Sequence, residues 1–296
     1  MKIGLIDVDG KSGFPNLALM KLSAYHKSIG DSVEWYEPMF SGHMDKVYMS
    51  KVFTFTPDYE YCIDADQIER GGTGYKLYGK NLLPEIEHII PDYSIYPHVD
   101  YAIGFLTRGC IRKCPWCVVP KKEGKLCDYD NWQHIKRPDS NKIVFMDNNV
   151  LASSYGISQI EEMAFDGDVK IDFNQGLDAR LINEDVAKIL SKVKWIRYLR
   201  LACDTKDMLP IIQNAVEKLK SFGFPTSKIF VYVLIQDVED AHYRIVELAK
   251  LGTQPFAQPY IDFSGNKKVD KDAKRLARWC NMKATFKTCS FEDYKY

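Results

Sequence analysis

The sequence lacks any run of about 18 consecutive apolar residues, which excludes an ordinary membrane-spanning helix. It also lacks a net charge, because 40 basic residues balance 40 acidic ones. A protein that holds a long nucleic acid usually has a basic surplus, since neutralising phosphates supplies most of its affinity. The composition therefore predicts no membrane partner, and it favours a small-molecule substrate over nucleic acid.

An evenly spaced cysteine framework is also missing. The 8 cysteines do not show the regular spacing of a disulfide scaffold, which indicates a reducing compartment. The N-terminus reaches an acidic residue, Asp7, too early for a signal peptide. We therefore predict a cytoplasmic protein, and its 296 residues are enough for one large domain or two ordinary ones.

Three of the cysteines nevertheless stand close together in the chain. Cys110, Cys114 and Cys117 have C-x3-C-x2-C spacing and follow the apolar run 101–106. Thiolates are soft ligands that suit iron–sulfur clusters, zinc or copper(I). Three thiolates can hold three corners of a cubane and leave the fourth iron open, whereas structural zinc wants four protein ligands. The spacing therefore favours an iron–sulfur cluster.

A zinc-stabilised binding module without catalysis is the alternative from a different class of protein. Cys127 or His134 could supply the fourth ligand that such a site needs. A ferredoxin-like cluster fits less well, because it normally uses four cysteines at other spacings.

The cysteine motif resembles the signature of the radical S-adenosylmethionine (SAM) superfamily, which usually carries an aromatic residue, here Trp116, before the last cysteine. The resemblance implies a [4Fe–4S] cluster on Cys110, Cys114 and Cys117, with SAM bound to the open iron and Trp116 near the adenine. It also implies that one electron cleaves SAM to methionine and a 5′-deoxyadenosyl radical. An external donor such as flavodoxin or ferredoxin would supply that electron.

A repeating strand-then-helix pattern runs from Tyr101 to the end of the chain, and it suits a partial (β/α)6 barrel with a C-terminal helical cap. Six strands is also the number that the radical SAM family usually has. The predicted strands lie at 101–106, 143–147, 169–174, 196–203, 229–235 and 256–262. The predicted helices lie at 156–165, 183–192, 206–221, 238–251 and 270–281.

Residues 1–78 alternate strands with a helix, as a small parallel α/β domain does. They are similar to a reduced cobalamin-binding-type Rossmann domain, the kind that precedes many radical SAM domains. The cobalamin-ligating D-x-H-x-x-G motif is missing, so no cobalamin is expected. Strands are predicted at 3–8, 32–36, 46–50 and 59–64, and a helix at 16–29.

Two further segments of this part of the chain carry predictions. Gly71–Gly74 is predicted to be a loop that needs positive φ, with a ligand contact as the alternative. Residues 79–100 are rich in proline and tyrosine and contain no long periodic element. They are predicted to form a linker that packs onto the following domain.

Polar residues follow four of the predicted barrel strands. In a barrel of parallel strands the chemistry lies at the carboxyl ends, although any single residue there could instead cap the next helix. SAM needs acceptors for its ammonium, a cation for its carboxylate, and amides or carboxylates for its ribose. Asp147 and Asn148 lie where related enzymes contact the ammonium group. The other predicted SAM-binding residues are Asn174, Gln175 and Arg180, for ribose and carboxylate, and Gln236, which stands where related enzymes often have glycine.

The chain as a whole is similar to a queuine lyase, with a single cluster, neutral charge and no RNA-binding appendage. That radical SAM group removes the cyclopentenediol from the 7-deazaguanine base queuine and leaves preQ1. A guanine-like edge asks for carboxylate and amide partners, and Asp172, Asp204 and Asp237 are available. Radical SAM modification of a peptide or a tRNA is the alternative.

Overall fold

Parallel strands and the helices between them build both halves of the chain. The computed structural model describes residues 1–79, 81–262 and 269–295. The chain divides into two compact units, Met1–Tyr101 and Ala102–Tyr296. Parallel sheets occur in each unit, so the predicted α/β class is confirmed. No helix among the described residues is long and apolar enough to cross a membrane.

In the part of the first unit that the structure describes, four strands form one sheet: β1 (Lys2–Asp7), β2 (Ser32–Trp35), β3 (Met44–Ser50) and β4 (Ala65–Gly71). All pairs are parallel, in the order β2-β1-β3-β4. Helix α1 (Leu17–Ser28) links β1 to β2, and the short helix α2 (Pro84–Glu87) lies further along the chain.

Strand β1 is apolar because both of its faces are buried. Successive side chains of a strand point to opposite faces of the sheet. Ile3 and Leu5 accordingly pack with Leu19 of α1, whereas Ile6 packs with Val47 in a second cluster on the other face. One apolar strand therefore supplies both cores of the first unit.

The strand predicted at 59–64 is wrong. These residues form an irregular segment, and the fourth strand is β4, which starts directly afterwards. Tyr59 and Ile63 pack against the core as part of this segment, which explains their strand-like apolar pattern. β4 itself is an edge strand whose residues are exposed from Asp66 onward, so it carries no apolar signal.

The Gly71–Gly74 loop follows β4. Gly72 has a φ of +94°, which confirms that the loop needs positive φ. A Cβ at Gly72 would lie 2.3 Å from the backbone oxygen of Lys51, so the loop also packs too closely for any side chain there.

Residues in the described part of 79–100 form hydrogen bonds with the helix and strands that precede them in the first unit. Asp92 accepts a hydrogen bond from Lys27, at 2.6 Å, and Trp35 donates to the backbone oxygen of Ile95, at 3.1 Å. The segment that was predicted to be a linker is thus attached to the preceding domain.

The described residues of the second unit form nine strands: β5 (Ala102–Gly104), β6 (Thr107–Arg108), β7 (Cys127–Asp128), β8 (Lys142–Phe145), β9 (Lys170–Phe173), β10 (Lys194–Trp195), β11 (Leu199–Ala202), β12 (Ile229–Ile235) and β13 (Gln254–Pro259). Its helices are α3 (Val119–Lys122), α4 (Trp132–Ile135), α5 (Ser154–Asp166), α6 (Glu184–Lys192), α7 (Leu209–Ser221), α8 (Val238–Lys250), α9 (Lys271–Asn281) and α10 (Lys283–Thr288). Each strand and helix predicted for this unit overlaps one of these elements.

Two parallel sheets organise this unit, in the orders β5-β8-β9-β10 and β11-β12-β13. A parallel bridge between Leu177 and Leu201 joins the segment after β9 to β11. In the part of the chain that the structure describes, the strands form these open sheets and no closed barrel.

Strand β12 shows how the sheet and the helices share the core. Its residues alternate between buried and half-buried, and Val231 and Val233 are buried in the main hydrophobic cluster together with Ile245 of α8. Phe230 and Tyr232 lie on the opposite, half-buried face. Every second residue of β12 is therefore buried on the face of the sheet that packs against α8, because successive side chains of a strand point to opposite faces.

Candidate functional site

The loop that carries the three cysteines starts shortly after β5. It lies between β6 and β7, which form a short two-stranded stem at its base. In that stem β6 and β7 pair antiparallel, and Ser153 donates a hydrogen bond to Asp128 at 2.6 Å. At the loop's entrance Gly109 has a φ of +80°, and a Cβ there would lie 2.3 Å from the backbone oxygen of Lys125. The entrance of the loop therefore requires glycine.

Glu123 fastens the far side of the loop to its entrance. Its Oε2 accepts hydrogen bonds from the Gly109 backbone N–H, at 3.1 Å, and from Asn148 Nδ2, at 2.9 Å. Arg108 Nε lies 3.1 Å from the same oxygen. The Glu123 carboxylate thus neutralises Arg108. It also accepts a hydrogen bond from the side-chain amide of Asn148, the residue that was predicted to bind SAM.

The cysteines of the loop are free thiols and half-buried. The Cys110 sulfur accepts hydrogen bonds from the Arg112 backbone N–H, at 3.3 Å, and from Asn149 Nδ2, at 3.4 Å. Burial raises the pKa of the Cys114 and Cys117 thiols, and the neighbouring thiols add to that rise. A bound cation would reverse this effect, because a coordinating thiol loses its proton.

Among the described residues, no three His, Cys, Asp or Glu side chains converge closely enough to hold a metal ion. The chemistry of the donors nevertheless fits a [4Fe–4S] cluster, since three thiols share one loop and two N–H groups point at one of the sulfurs. The fit therefore lies in the kind and number of ligands.

The two candidate fourth ligands of a zinc site lie elsewhere. Cys127 is exposed on β7, and the His134 ring nitrogen Nδ1 lies 2.8 Å from Asp130. Neither joins the loop cysteines in a metal-holding group among the residues that the structure describes. The arrangement thus gives no support to a four-ligand zinc site.

Asp178 lies at the centre of an ion-pair network beside the loop. Its Oδ2 is 2.8 Å from Arg112 Nε and 3.3 Å from Asn149 Nδ2, and its Oδ1 is 2.6 Å from Arg180 Nε. Burial of Asp178 opposes its charge, but the two arginines outweigh burial and lower the pKa of its carboxyl group. Asp178 therefore stays ionised and holds both arginines near the cysteines.

Trp116 and Asp204 are brought together next to the loop. Burial raises the pKa of Asp204, whereas the Arg244 charge and a hydrogen bond from the Trp116 side chain lower it. The Asp204 charge also acts on the Cys114 thiol, as does that of Arg180. A predicted substrate residue and two predicted SAM residues thus lie near one cysteine.

Arg244 fixes the strand ends next to Asp204. Its side chain is completely buried and donates hydrogen bonds to the backbone oxygens of Cys203, at 2.5 Å, and Leu234, at 3.0 Å. Asp240, one helical turn earlier, lies 2.7 Å from the same guanidinium group. Arg244 therefore ties the carboxyl ends of β11 and β12 together.

Asp147 is buried in a structural role. Its carboxylate accepts hydrogen bonds from the backbone N–H groups of Leu106, at 3.0 Å, and Thr107, at 2.5 Å, and from the Thr107 hydroxyl, at 2.7 Å. Burial outweighs these donors and raises the pKa of Asp147 to about 7. The side chain joins the end of β8 to the chain between β5 and β6.

Asp172 forms an ion pair with Arg200. Arg200 contacts it through two nitrogens, at 2.6 and 2.7 Å, and also donates to the Tyr232 hydroxyl at 3.1 Å. That hydroxyl donates to the backbone oxygen of Asn174 at 2.9 Å. The side-chain nitrogen of Asn174 makes a long contact, 3.9 Å, with the Met146 sulfur.

The remaining predicted site residues lie at the surface. Gln175 and Gln236 are exposed, and so is Asp237, which caps α8 by accepting the Asp240 backbone N–H at 2.8 Å. For Asp237 the helix-cap interpretation is therefore confirmed.

Four residues of the site were not predicted from the sequence. Asn149 and Asp178 belong to the polar segments that follow predicted strands. In these segments the neighbouring residues Asn148 and Arg180 were predicted to bind SAM instead. Glu123 and Arg244 were missed because the backbone groups that they bind are separated from them in the chain. No protein-family model matches the chain, and no curated protein matches its sequence.

Proposed function

We propose that the protein is a radical SAM enzyme whose [4Fe–4S] cluster is held by Cys110, Cys114 and Cys117. The proposal is carried by one observation: three thiols at C-x3-C-x2-C spacing share a loop that is anchored next to the carboxyl ends of parallel strands. Ligands of parallel α/β proteins bind at that edge of the sheet.

The order of the strands supports a partial (β/α)6 barrel as the scaffold. The strands β5, β8, β9, β11, β12 and β13 follow one another in space in the same order as in the chain. The Leu177–Leu201 bridge supplies the link between β9 and β11. Helices α5, α6, α7 and α8 occupy the connections, as the barrel requires.

When bound, the cluster supplies the single electron that SAM cleavage needs. The chain's own residues position the reactants. Asn149 and the Arg112 backbone direct N–H groups at Cys110, and the Trp116 side chain lies beside Asp204. Arg180 keeps a third of its side chain exposed beside the cysteines, so it suits the SAM carboxylate.

The proposed substrate is small and polar, and queuine is the candidate. Of the three carboxylates predicted to bind it, Asp204 lies near the cysteines, whereas Arg200 neutralises Asp172 and Asp237 caps a helix. We therefore assign the guanine-like edge to Asp204. The SAM-binding roles of Asn148, Asn174, Gln175 and Gln236 stay predictions.

The test is anaerobic reconstitution with iron and sulfide, followed by dithionite and SAM, with 5′-deoxyadenosine as the product to be measured. We expect a brown protein that forms 5′-deoxyadenosine, and a Cys114→Ala variant that does not. Cys127→Ala is the matched control, because this exposed cysteine lies outside the motif. A colourless zinc protein that leaves SAM intact would refute the proposal.

The same reaction with queuine tests the substrate separately. Formation of preQ1, together with loss of this product but not of the cluster colour in Asp204→Asn, supports the lyase assignment. If the protein cleaves SAM, but queuine neither stimulates the cleavage nor is consumed, then the proposed enzyme class is retained and queuine is rejected as the substrate.

A further inference from the structure

We infer that Asp178 is a positioning residue for Cys110, because it holds both groups that donate hydrogen bonds to the Cys110 sulfur. The inference rests on the proposed function for its catalytic meaning. The contacts themselves are made by the chain alone, so they can be tested without a cofactor.

The first group is the side-chain amide of Asn149. Its nitrogen lies 3.4 Å from the Cys110 sulfur and 3.3 Å from the Asp178 carboxylate, and thus donates to both. Turning the amide over would place its oxygen against the carboxylate, so that two acceptors would face each other. Asp178 therefore determines which end of the Asn149 amide faces the sulfur.

The unpartnered oxygen of that amide shows that the orientation is enforced. Asn149 is 2% exposed, and its Oδ1 has no hydrogen-bond partner among the described residues. A buried acceptor without a donor is costly, and native structures contain few of them. The protein accepts this cost while keeping the N–H directed at Cys110 and Asp178.

The second group is the backbone N–H of Arg112, which lies 3.3 Å from the Cys110 sulfur. The Arg112 side chain reaches Asp178 at 2.8 Å, on a carboxylate that is 5% exposed. Arg180 occupies the other carboxylate oxygen at 2.6 Å, so Asp178 cannot rotate away without losing an ion pair. The peptide that donates to the sulfur is thereby held in place.

Two N–H donors at one sulfur have a defined electrochemical consequence. Hydrogen bonds to a cluster's sulfur ligands are among the factors that set its reduction potential, and they favour the state with more negative charge. In a cluster-loaded protein, Cys110 would thus be one ligand through which this chain adjusts the ease of reducing the cluster.

The first experiment uses the iron-free protein and trypsin, which cuts after Arg112 and Lys113 inside the loop. In Asp178→Asn, release of the Arg112 side chain should speed cleavage after Lys113 about tenfold, because proteolysis follows local opening. Asp139→Asn is the matched control, since it breaks an exposed aspartate–arginine pair in the same unit. A wild-type rate in Asp178→Asn would overturn the inference.

Asp178→Asn could unfold the whole unit, and trypsin would then cut faster at every site. In that case the Arg112→Gln variant tests the inference instead. It removes the same anchor from a partly exposed position and retains the cleavage site after Lys113. The same acceleration is expected, and its absence would overturn the inference as well.

The second experiment measures the reduction potential of the reconstituted protein. Asn149→Leu, which removes one donor at nearly constant volume, should make the potential more negative than in the wild type and in Asp139→Asn. An unchanged potential would refute the effect of Asn149 on Cys110. If the wild type binds no cluster, the proposed function fails, while the proteolysis result still decides whether Asp178 positions the loop.

Discussion

At the scale of single residues, the carboxylates near the loop differ in what surrounds them. Two arginines keep Asp178 ionised, whereas Asp147 has only neutral donors around it and is 1% exposed. Desolvation penalises the charged form of a carboxyl group, whereas nearby positive charges and hydrogen-bond donors favour it, and at Asp147 desolvation is the larger effect. The two aspartates therefore respond to pH in opposite ways.

The raised pKa of Asp147 predicts a loss of stability with rising pH. Between the ordinary value of 3.8 and about 7, the folded protein keeps a proton on this group that the unfolded chain has released. The free energy of unfolding therefore falls across this window, by at most about 4 kcal/mol for three pKa units. Asp147→Asn removes the titration and should remove this part of the pH dependence.

Urea unfolding of both proteins at about pH 5 and about pH 8 checks the prediction, because those values lie on either side of the folded pKa. The wild type should lose stability relative to Asp147→Asn on going to the higher pH. An equal change in stability of the two proteins between these pH values would show that the protonation of Asp147 does not contribute to the pH dependence.

Two glycines of the loop allow the cost of a steric clash to be distinguished from the cost of an unfavourable backbone φ. Gly109 and Gly124 have φ values of +80° and +81°, but a Cβ would meet backbone atoms only at Gly109. Gly124→Ala should cost about 1 kcal/mol for the unfavourable φ alone. Gly109→Ala should cost more, about 2–4 kcal/mol, and should also abolish iron binding by the loop.

Thermal unfolding together with iron content after reconstitution measures both effects. Equal costs for the two substitutions would mean that the loop entrance can move to accept a methyl group.

At the scale of elements, the helices and the buried strands of the second unit were predictable, because apolar periodicity and capping residues mark them locally. Asp237, for example, caps α8, and β12 alternates buried with half-buried residues along its length. In the first unit one strand was predicted in the wrong place. Tyr59 and Ile63 gave an irregular segment the apolar pattern of a strand, while the real strand, β4, is polar.

The stacked phenylalanines of β8 and β9 predict which element contacts carry stability. Phe145 and Phe173 are fully buried, with ring centroids 5.1 Å apart. Phe173→Ala should lower the free energy of unfolding by about 3–5 kcal/mol, since it leaves a cavity between two sheet strands. Phe165→Ala is the matched control: that side chain is 87% exposed, and its loss should change stability by less than about 0.5 kcal/mol.

Urea denaturation followed by tryptophan fluorescence compares the two variants. A small effect of Phe173→Ala would show that neighbouring side chains collapse into the space.

At the scale of the whole molecule, the sequence predicted the architecture better than the site. The cysteine loop was recognised from its spacing, and Trp116 and Asp204, which received different predicted roles, lie near each other in the structure. The groups that anchor the loop were missed because their partners are remote. Arg112 and Asp178 are 66 residues apart, and such a contact leaves no periodic trace in a sequence.

The balanced charge of the whole chain predicts its solubility. With a formal net charge of zero and an isoelectric point near 7.0, the protein has little electrostatic repulsion between copies at neutral pH. Solubility should therefore pass through a minimum near pH 7 and rise on both sides. Precipitation assays across pH at low salt measure it, and a minimum far from neutrality would show that many groups titrate away from their ordinary values.

The polar edge strand of the first unit has a consequence for how the protein behaves at high concentration. β4 ends its sheet, so one side of its backbone has no strand partner among the described residues, and such an edge can pair with the same edge of another molecule. Asp66, Glu69 and Arg70 place exposed charges along it. The polarity that hides β4 from an apolar pattern is thus also what protects the protein from aggregating edge to edge.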